Sequence, residues 1–151
     1  FPSGYGMGED MTMMLLFAHA DKVLYVPKAF YHYVKLNTGA MSNVYSDKHK
    51  VELKHNVTRI SALLTQVYGN TLEKEIAFLK LEAKFPFLLM GDINSYRLWK
   101  EWYPEANRFI LRNRNISGRS RWLQWCAWKN QFWLVWIYNR LFHIAYKILY
   151  R

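Results

Sequence analysis

Acidic residues run out early in this chain: no Asp or Glu follows Glu105, while Arg108, Arg112, Arg114, Arg119, Arg121, Lys129, Arg140, Lys147 and Arg151 all do. Cysteine is scarcer still. Cys126 stands alone, so no disulfide can close within the chain and a reducing cytosol is permitted. Four prolines and seven glycines leave no collagen-like, linker or low-complexity tract, and no self-similarity recurs at solenoid periods. Long apolar runs are missing too. The longest, Phe132 to Tyr138, falls far short of the ~20 residues that a membrane-spanning helix needs. Phe1-Pro2-Ser3-Gly4-Tyr5-Gly6 resembles neither a secretory signal nor a transit peptide. A start inside a glycine-rich loop leads us to expect a piece of a longer protein.

What is present is a globular composition, 52% hydrophobic and 18% aromatic, over 151 residues. That length buries one core, or one core and a helical satellite. The formal net charge of +10 belongs almost wholly to the tail, since residues 1–105 are nearly neutral. Such a tail calls for an anionic partner: a membrane surface, a nucleic acid or an acidic protein.

Periodicity predicts a helix over 9–20, with Met11, Met14, Leu15 and Ala18 on one buried face and Glu9 and Asp10 in its first turn. Two β-like runs follow, Val23–Val26 and Phe30–Val34, and then a polar loop from Lys35 to Tyr45. From about Ser46 the pattern turns helical. Leu53, Val57, Ile60, Leu64 and Val67 form one seam, ended by Gly69; Leu72, Ile76, Leu79 and Ala83 form another, ended by Pro86. Asn70-Thr71-Leu72-Glu73 reads as a capping box between them, and so short a turn predicts an antiparallel hairpin. A short helix near 95–103 and an irregular basic stretch to Gly118 come next.

Residues 119–151 lack internal Pro and Gly, and as one helix they would run roughly 50 Å. Leu134, Ile137, Leu141, Ile144 and Ile148 make an aliphatic stripe. About 100° around the wheel, Trp122, Trp125, Lys129, Phe132, Trp133, Trp136, Arg140, His143 and Lys147 make an aromatic and basic one. The expectation is an aliphatic stripe against the protein and a Trp-rich basic stripe against an anionic membrane surface, or against a second copy in a homodimer. The interface residues are then Trp122, Trp125, Lys129, Trp133, Trp136 and Arg140. A nucleic-acid partner is not expected, because Trp dominates where RNA-binding modules carry Phe and Tyr on strands.

The most informative segment is Gly8-Glu9-Asp10 opening a helix, then a β-run, then Tyr31-His32-Tyr33 and the polar loop Asn37-Thr38-Gly39-Ala40-Met41-Ser42. In order and spacing, residues 1–45 resemble the closing part of the catalytic domain of family-2 glycosyltransferases, which are inverting enzymes of GT-A type fold. The resemblance implies Asp10 as catalytic base, Glu9 as its acceptor-side neighbour, and His32 and Tyr31 as substrate-binding residues. It also implies a nucleotide-sugar donor and a saccharide acceptor, possibly lipid-linked, in surface polysaccharide synthesis. The site of action would be cytoplasmic, peripheral at the inner face of the cell membrane.

A GT-A enzyme holds its donor in an N-terminal βαβ half, with an Asp-x-Asp-type motif on a divalent metal. No Asp-x-Asp occurs here, and no His, Cys and carboxylate cluster has metal-ligand spacing. Mg or Mn is therefore expected only in a full-length enzyme, and the chain by itself is expected to bind no metal and to be inactive. The fold class expected is α+β and mostly helical. Residues 1–45 would end a GT-A type α/β catalytic domain, 46–105 would form a helical hairpin with a short helix, and 106–151 would form a long amphipathic helical tail. The alternative is a helical protein- or membrane-interaction module with no catalytic role.

Overall fold

The computed structural model describes residues 11–30 and 46–149. These are mostly helical, and no strand occurs among the described residues. The chain divides into two compact units, 1–70 and 71–151.

In the first unit α1 (Met11–His19) packs on α2 (Asp47–Tyr68). Ser46 starts α2 with a reciprocal cap: its hydroxyl accepts from the His49 amide at 3.3 Å, and His49 Nδ1 accepts from the Ser46 amide at 3.4 Å. The seam is buried at Leu53, Val57 and Ile60, half-buried at Leu64 and exposed by Val67. On α1 the buried side is Met11, with Leu15 and Ala18 half-covered, whereas Met14 faces out. The run Val23–Val26 is not a strand. Leu24 and Tyr25 are 86% and 84% exposed, and no partner strand is described beside them. A lone strand gains no ladder hydrogen bonds and buries no face, so propensity cannot hold it. Of the second run only Phe30 is described; Val34 and the polar loop to Tyr45 lie outside the described residues.

Gly69, at φ 57°, closes α2 by donating its amide to the Thr65 carbonyl, as a C-terminal glycine should. The Asn70 capping box does not form. The chain makes a 3-10 turn over Gly69–Leu72, and α3 (Glu73–Lys84) begins at Leu72 without a side-chain cap. The boundary between units falls at this turn, inside the span 46–105 read as a helical hairpin and a short helix. Within the first unit α2 packs on α1, and within the second α3 packs on the 3-10 segment Pro104–Arg112.

The second unit continues through α4 (Pro86–Met90), α5 (Ile93–Glu101), the 3-10 segment, α6 (Gly118–Trp128) and α7 (Phe132–Leu149). Pro86 ends α3 and becomes the first residue of α4, where its missing N–H costs nothing. Asp92 caps α5 by accepting from the Ser95 amide at 2.9 Å. The core is Leu81, Phe87, Leu88, Trp99, Ile110 and Leu123, with Phe87 edge-on to Trp102 at 4.8 Å.

A cation sits in that core. Lys84 is fully buried; its Nζ donates to the Trp102 carbonyl (2.9 Å), the Tyr103 carbonyl (3.4 Å) and Asn107 Oδ1 (2.6 Å). It also lies 4.2 Å from the centre of the Trp99 ring. Trp102 and Tyr103 are where α5 stops, and Tyr103 turns the chain with φ 47°, a left-handed value costly for a non-glycine residue. Lys84 thus binds the carbonyls of the two residues that follow α5 and, through Asn107, ties α3 to the 3-10 segment. Burial lowers its pKa to about 7, an effect partly opposed by the Glu105 carboxylate.

The linkage has a definite sign. The unfolded chain keeps this proton to about pH 10.4, the folded one only to about 7. Between those values the unfolded state binds more protons, so the contribution of Lys84 makes stability rise with pH. All seven tryptophans lie between 99 and 136, so their fluorescence follows the second unit alone. Urea unfolding read this way should give a midpoint that climbs from pH 7 to 9.5. Lys84→Met should flatten that climb and cost ~2–4 kcal/mol at pH 7, because the buried Trp102 carbonyl and Asn107 Oδ1 lose the donor that Lys84 gives them. An unchanged slope in the variant would mean that Lys84 does not titrate there.

Candidate functional site

The residues implied by the glycosyltransferase resemblance, Glu9, Asp10, Tyr31 and His32, lie outside the described residues. The candidate surface that the structure does describe is on α6 and α7, and its geometry differs from a single long helix. α6 ends at Trp128, and Asn130 takes the left-handed conformation at φ 58°. The Asn130 amide donates to the Ala127 carbonyl at 3.0 Å and the Gln131 amide to the Cys126 carbonyl at 2.8 Å. This is the paired C-terminal motif usually built on glycine, with Asn in its place. The chain then restarts as α7 and folds back on α6. No internal Gly or Pro announces the break, because Asn can adopt the left-handed conformation as well.

The break changes which face of α7 meets the protein. Val135 is buried, Asn139 Nδ2 donates to the Leu88 carbonyl at 2.6 Å, and the Tyr138 ring lies 5.8 Å from that of Trp122. Arg119 of α6 covers Tyr138 and Phe142 at 5.0 and 4.2 Å. The docked face is therefore Val135, Tyr138 and Asn139, and the aliphatic stripe expected to pack inward does not. Leu134 alone is half-covered; Ile137 is exposed, Leu141 is 62% exposed and Ile148 72%. Every described residue from Arg140 to Leu149 is exposed.

The aromatic and basic stripe also faces outward. Trp133, Trp136, Lys129 and Arg140 are exposed, Trp122 is exposed beside Tyr138, and Trp125 is half-buried. Arg140 lies over the Trp136 ring at 5.3 Å and Lys129 over Trp128 at 4.8 Å, while Trp133 Nε1 donates to Gln131 Oε1 at 2.6 Å. Two stripes roughly 100° apart thus both face outward along most of α7, apart from Phe132, which stacks on Tyr96, and half-covered Leu134. Cys126, behind them, is buried, and burial raises its thiol pKa.

Two hollows open on this unit. A cavity of about 280 Å³ is lined by Leu89, Met90 and Gly91 on one side and by Trp136, Asn139, Arg140 and His143 on the other. Gly91 makes it possible by ending α4 at φ 75°. A second, of about 550 Å³, lies between α5 and the start of α7, with Arg97 and Lys100 at its rim and Tyr96 stacked on Phe132 at 5.0 Å. Sequence reasoning did not find either hollow, since each joins residues some 30 to 50 positions apart. Among the described residues no His, Cys and carboxylate group could hold a metal, and no helix is long and apolar enough to cross a membrane.

No protein-family model matches the chain, and no curated protein or solved structure shows significant similarity to it.

The anchoring of α7 can be tested by hydrogen exchange. Amides of 140–149 should exchange much faster than those of α6, because that half of α7 has no buried side chain. Asn139→Ala removes the bond to Leu88 and should speed exchange at 135–139 by roughly tenfold. Equal protection along α7 would show that its end is held by contacts other than these.

Proposed function

We propose that these residues are the C-terminal, acceptor-side portion of an inverting family-2 glycosyltransferase that makes surface polysaccharide at the inner face of the cell membrane. The reading rests on Gly8-Glu9-Asp10, Tyr31-His32-Tyr33 and the polar loop after them. The structural observation that supports it best is the apolar surface left uncovered between 11 and 30. Leu16 and Phe17 on α1, and Val23, Leu24, Tyr25 and Phe30 after it, are exposed together. A β-patterned run with no strand beside it among the described residues is what the closing segment of a sheet-based catalytic domain presents apart from its sheet.

In this reading Asp10 takes the proton of an acceptor hydroxyl as its oxygen attacks the anomeric carbon of the donor. The bond from that carbon to the nucleotide diphosphate breaks on the opposite face, the diphosphate leaves with the electron pair, and the configuration inverts. Glu9 holds a neighbouring acceptor hydroxyl, Tyr31 offers the sugar a flat face, and His32 donates to a hydroxyl or phosphate oxygen. The divalent ion that the family places on the donor phosphates has no Asp-x-Asp here to hold it, so no step of this scheme runs through a metal.

Two measurements test the reading. In a protein carrying both halves, Asp10→Asn should lower turnover by ~10²-fold or more, with donor binding retained, and Glu9→Gln should cost less. Near-normal turnover of Asp10→Asn with saturating acceptor would show that Asp10 is not the base. For the 151-residue chain alone, calorimetry with nucleotide sugars and Mg²⁺ or Mn²⁺ should give no specific heat. Micromolar affinity for such a donor would place the donor site within these residues.

A further inference from the structure

We infer that α7 lies along the headgroup–acyl boundary of an anionic bilayer, with the cleft of Leu89, Met90, Gly91, Trp136, Arg140 and His143 seating a lipid phosphate. The inference is independent of the transferase reading, because it stands on the second unit alone.

The first support is the disposition of α7. Its protein-facing side is used up by Val135, Tyr138 and Asn139, yet Ile137, Leu141, Ile144 and Ile148 form an exposed ridge on another side. An apolar ridge of that extent on a helix loses free energy in water for every turn it remains uncovered. Beside it runs the stripe Trp133, Trp136, Arg140, His143 and Lys147. A bilayer surface satisfies both stripes at once: acyl chains take the aliphatic ridge, and headgroups take the indoles and cations. The helix, 18 residues or ~27 Å, has Arg140 and Lys147 within it and is not a spanning segment.

The second support is the cleft itself, about 280 Å³. Arg140 brings a guanidinium already held over Trp136, and a phosphate accepts two parallel N–H bonds from such a group. Exposed Leu89 and Met90 on the opposite wall give acyl chains an apolar path out of the cleft.

Charge decides between occupants. No Asp or Glu lies beyond Glu105, so a second copy meeting this surface through its own α7 would bring cations to cations. Nucleic acid would answer the charge but offers nothing to Leu141, Ile144 and Ile148. An anionic lipid surface answers both.

Co-sedimentation of the chain with phosphatidylglycerol-containing and with pure phosphatidylcholine vesicles tests this. The chain should bind the anionic vesicles at low salt, weaken as salt rises, and ignore the neutral ones. Arg140→Gln with His143→Asn should lower partitioning by roughly tenfold or more. Arg112→Gln with Arg114→Gln removes formal charge away from α7 and should lower it clearly less. Leu141→Glu with Ile148→Glu should abolish binding, and since both side chains are exposed, circular dichroism should show the fold retained. Trp125, Trp133 and Trp136 changed together to Ala should also reduce binding. No binding to anionic vesicles at low salt overturns the inference. So does equal loss from the two charge pairs, which removes the cleft, and so does a dimer that Leu141→Glu with Ile148→Glu dissociates. Binding of a single-stranded oligonucleotide in preference to anionic vesicles overturns the lipid assignment as well. None of these results bears on Asp10.

Discussion

Burying the ammonium of Lys84 is the constraint around which the second unit is arranged. An amine placed in a core must be surrounded by acceptors or give up its proton. Here α5 ends at its side, delivering the Trp102 and Tyr103 carbonyls, and the 3-10 segment delivers Asn107. The left-handed Tyr103, the abrupt end of α5 and the burial of Trp99 all follow from serving one cation. With those positions fixed, α4 and α6 close over Phe87, Leu88 and Leu123, and Leu88 offers the carbonyl that holds Asn139 of α7.

That last hydrogen bond has a functional consequence. It selects the face by which α7 is attached, and the selection leaves both the aliphatic and the aromatic-basic stripes outside. A helix attached through its aliphatic ridge would show solvent only a charged, aromatic side. Attached through Val135, Tyr138 and Asn139, it keeps apolar surface available for something that is neither water nor this chain's own core. The same unit therefore has a tightly built end at Lys84 and an unclad end at α7.

The first unit stands in a different relation to its surroundings. α2 is well specified by its Ser46–His49 cap and by Leu53, Val57 and Ile60, yet α1 and the segment after it leave large apolar side chains in the open. On the transferase reading, these two apolar surfaces of the described residues would serve two purposes. That between 11 and 30 would complete a catalytic sheet, and that on α7 would keep the enzyme where a lipid-linked acceptor is concentrated.

By itself the sequence determined the helices α2 and α3, because their apolar residues recur at helical period and Gly69 and Pro86 act through local backbone geometry. It also determined the two stripes of α7, which are a matter of spacing, and the absence of acid after Glu105. The seam choice was sharper for Leu53, Val57 and Ile60 than for α3, where Ala77, Leu81 and Lys84 are buried beside the expected Ile76 and Ala83. A lysine in step with Ala77 and Leu81 was the available signal, but only the carbonyls brought by α5 make its burial affordable. Tertiary structure alone decided that Val23–Val26 is not a strand, since a ladder needs a partner that periodicity cannot supply. It alone broke the tail at Asn130, where a residue less permissive than glycine takes a left-handed turn because α7 gains a packing surface on α6. And it alone turned α7 by its Asn139 bond, since a helical wheel gives the angles between stripes but not which of them the rest of the molecule will meet.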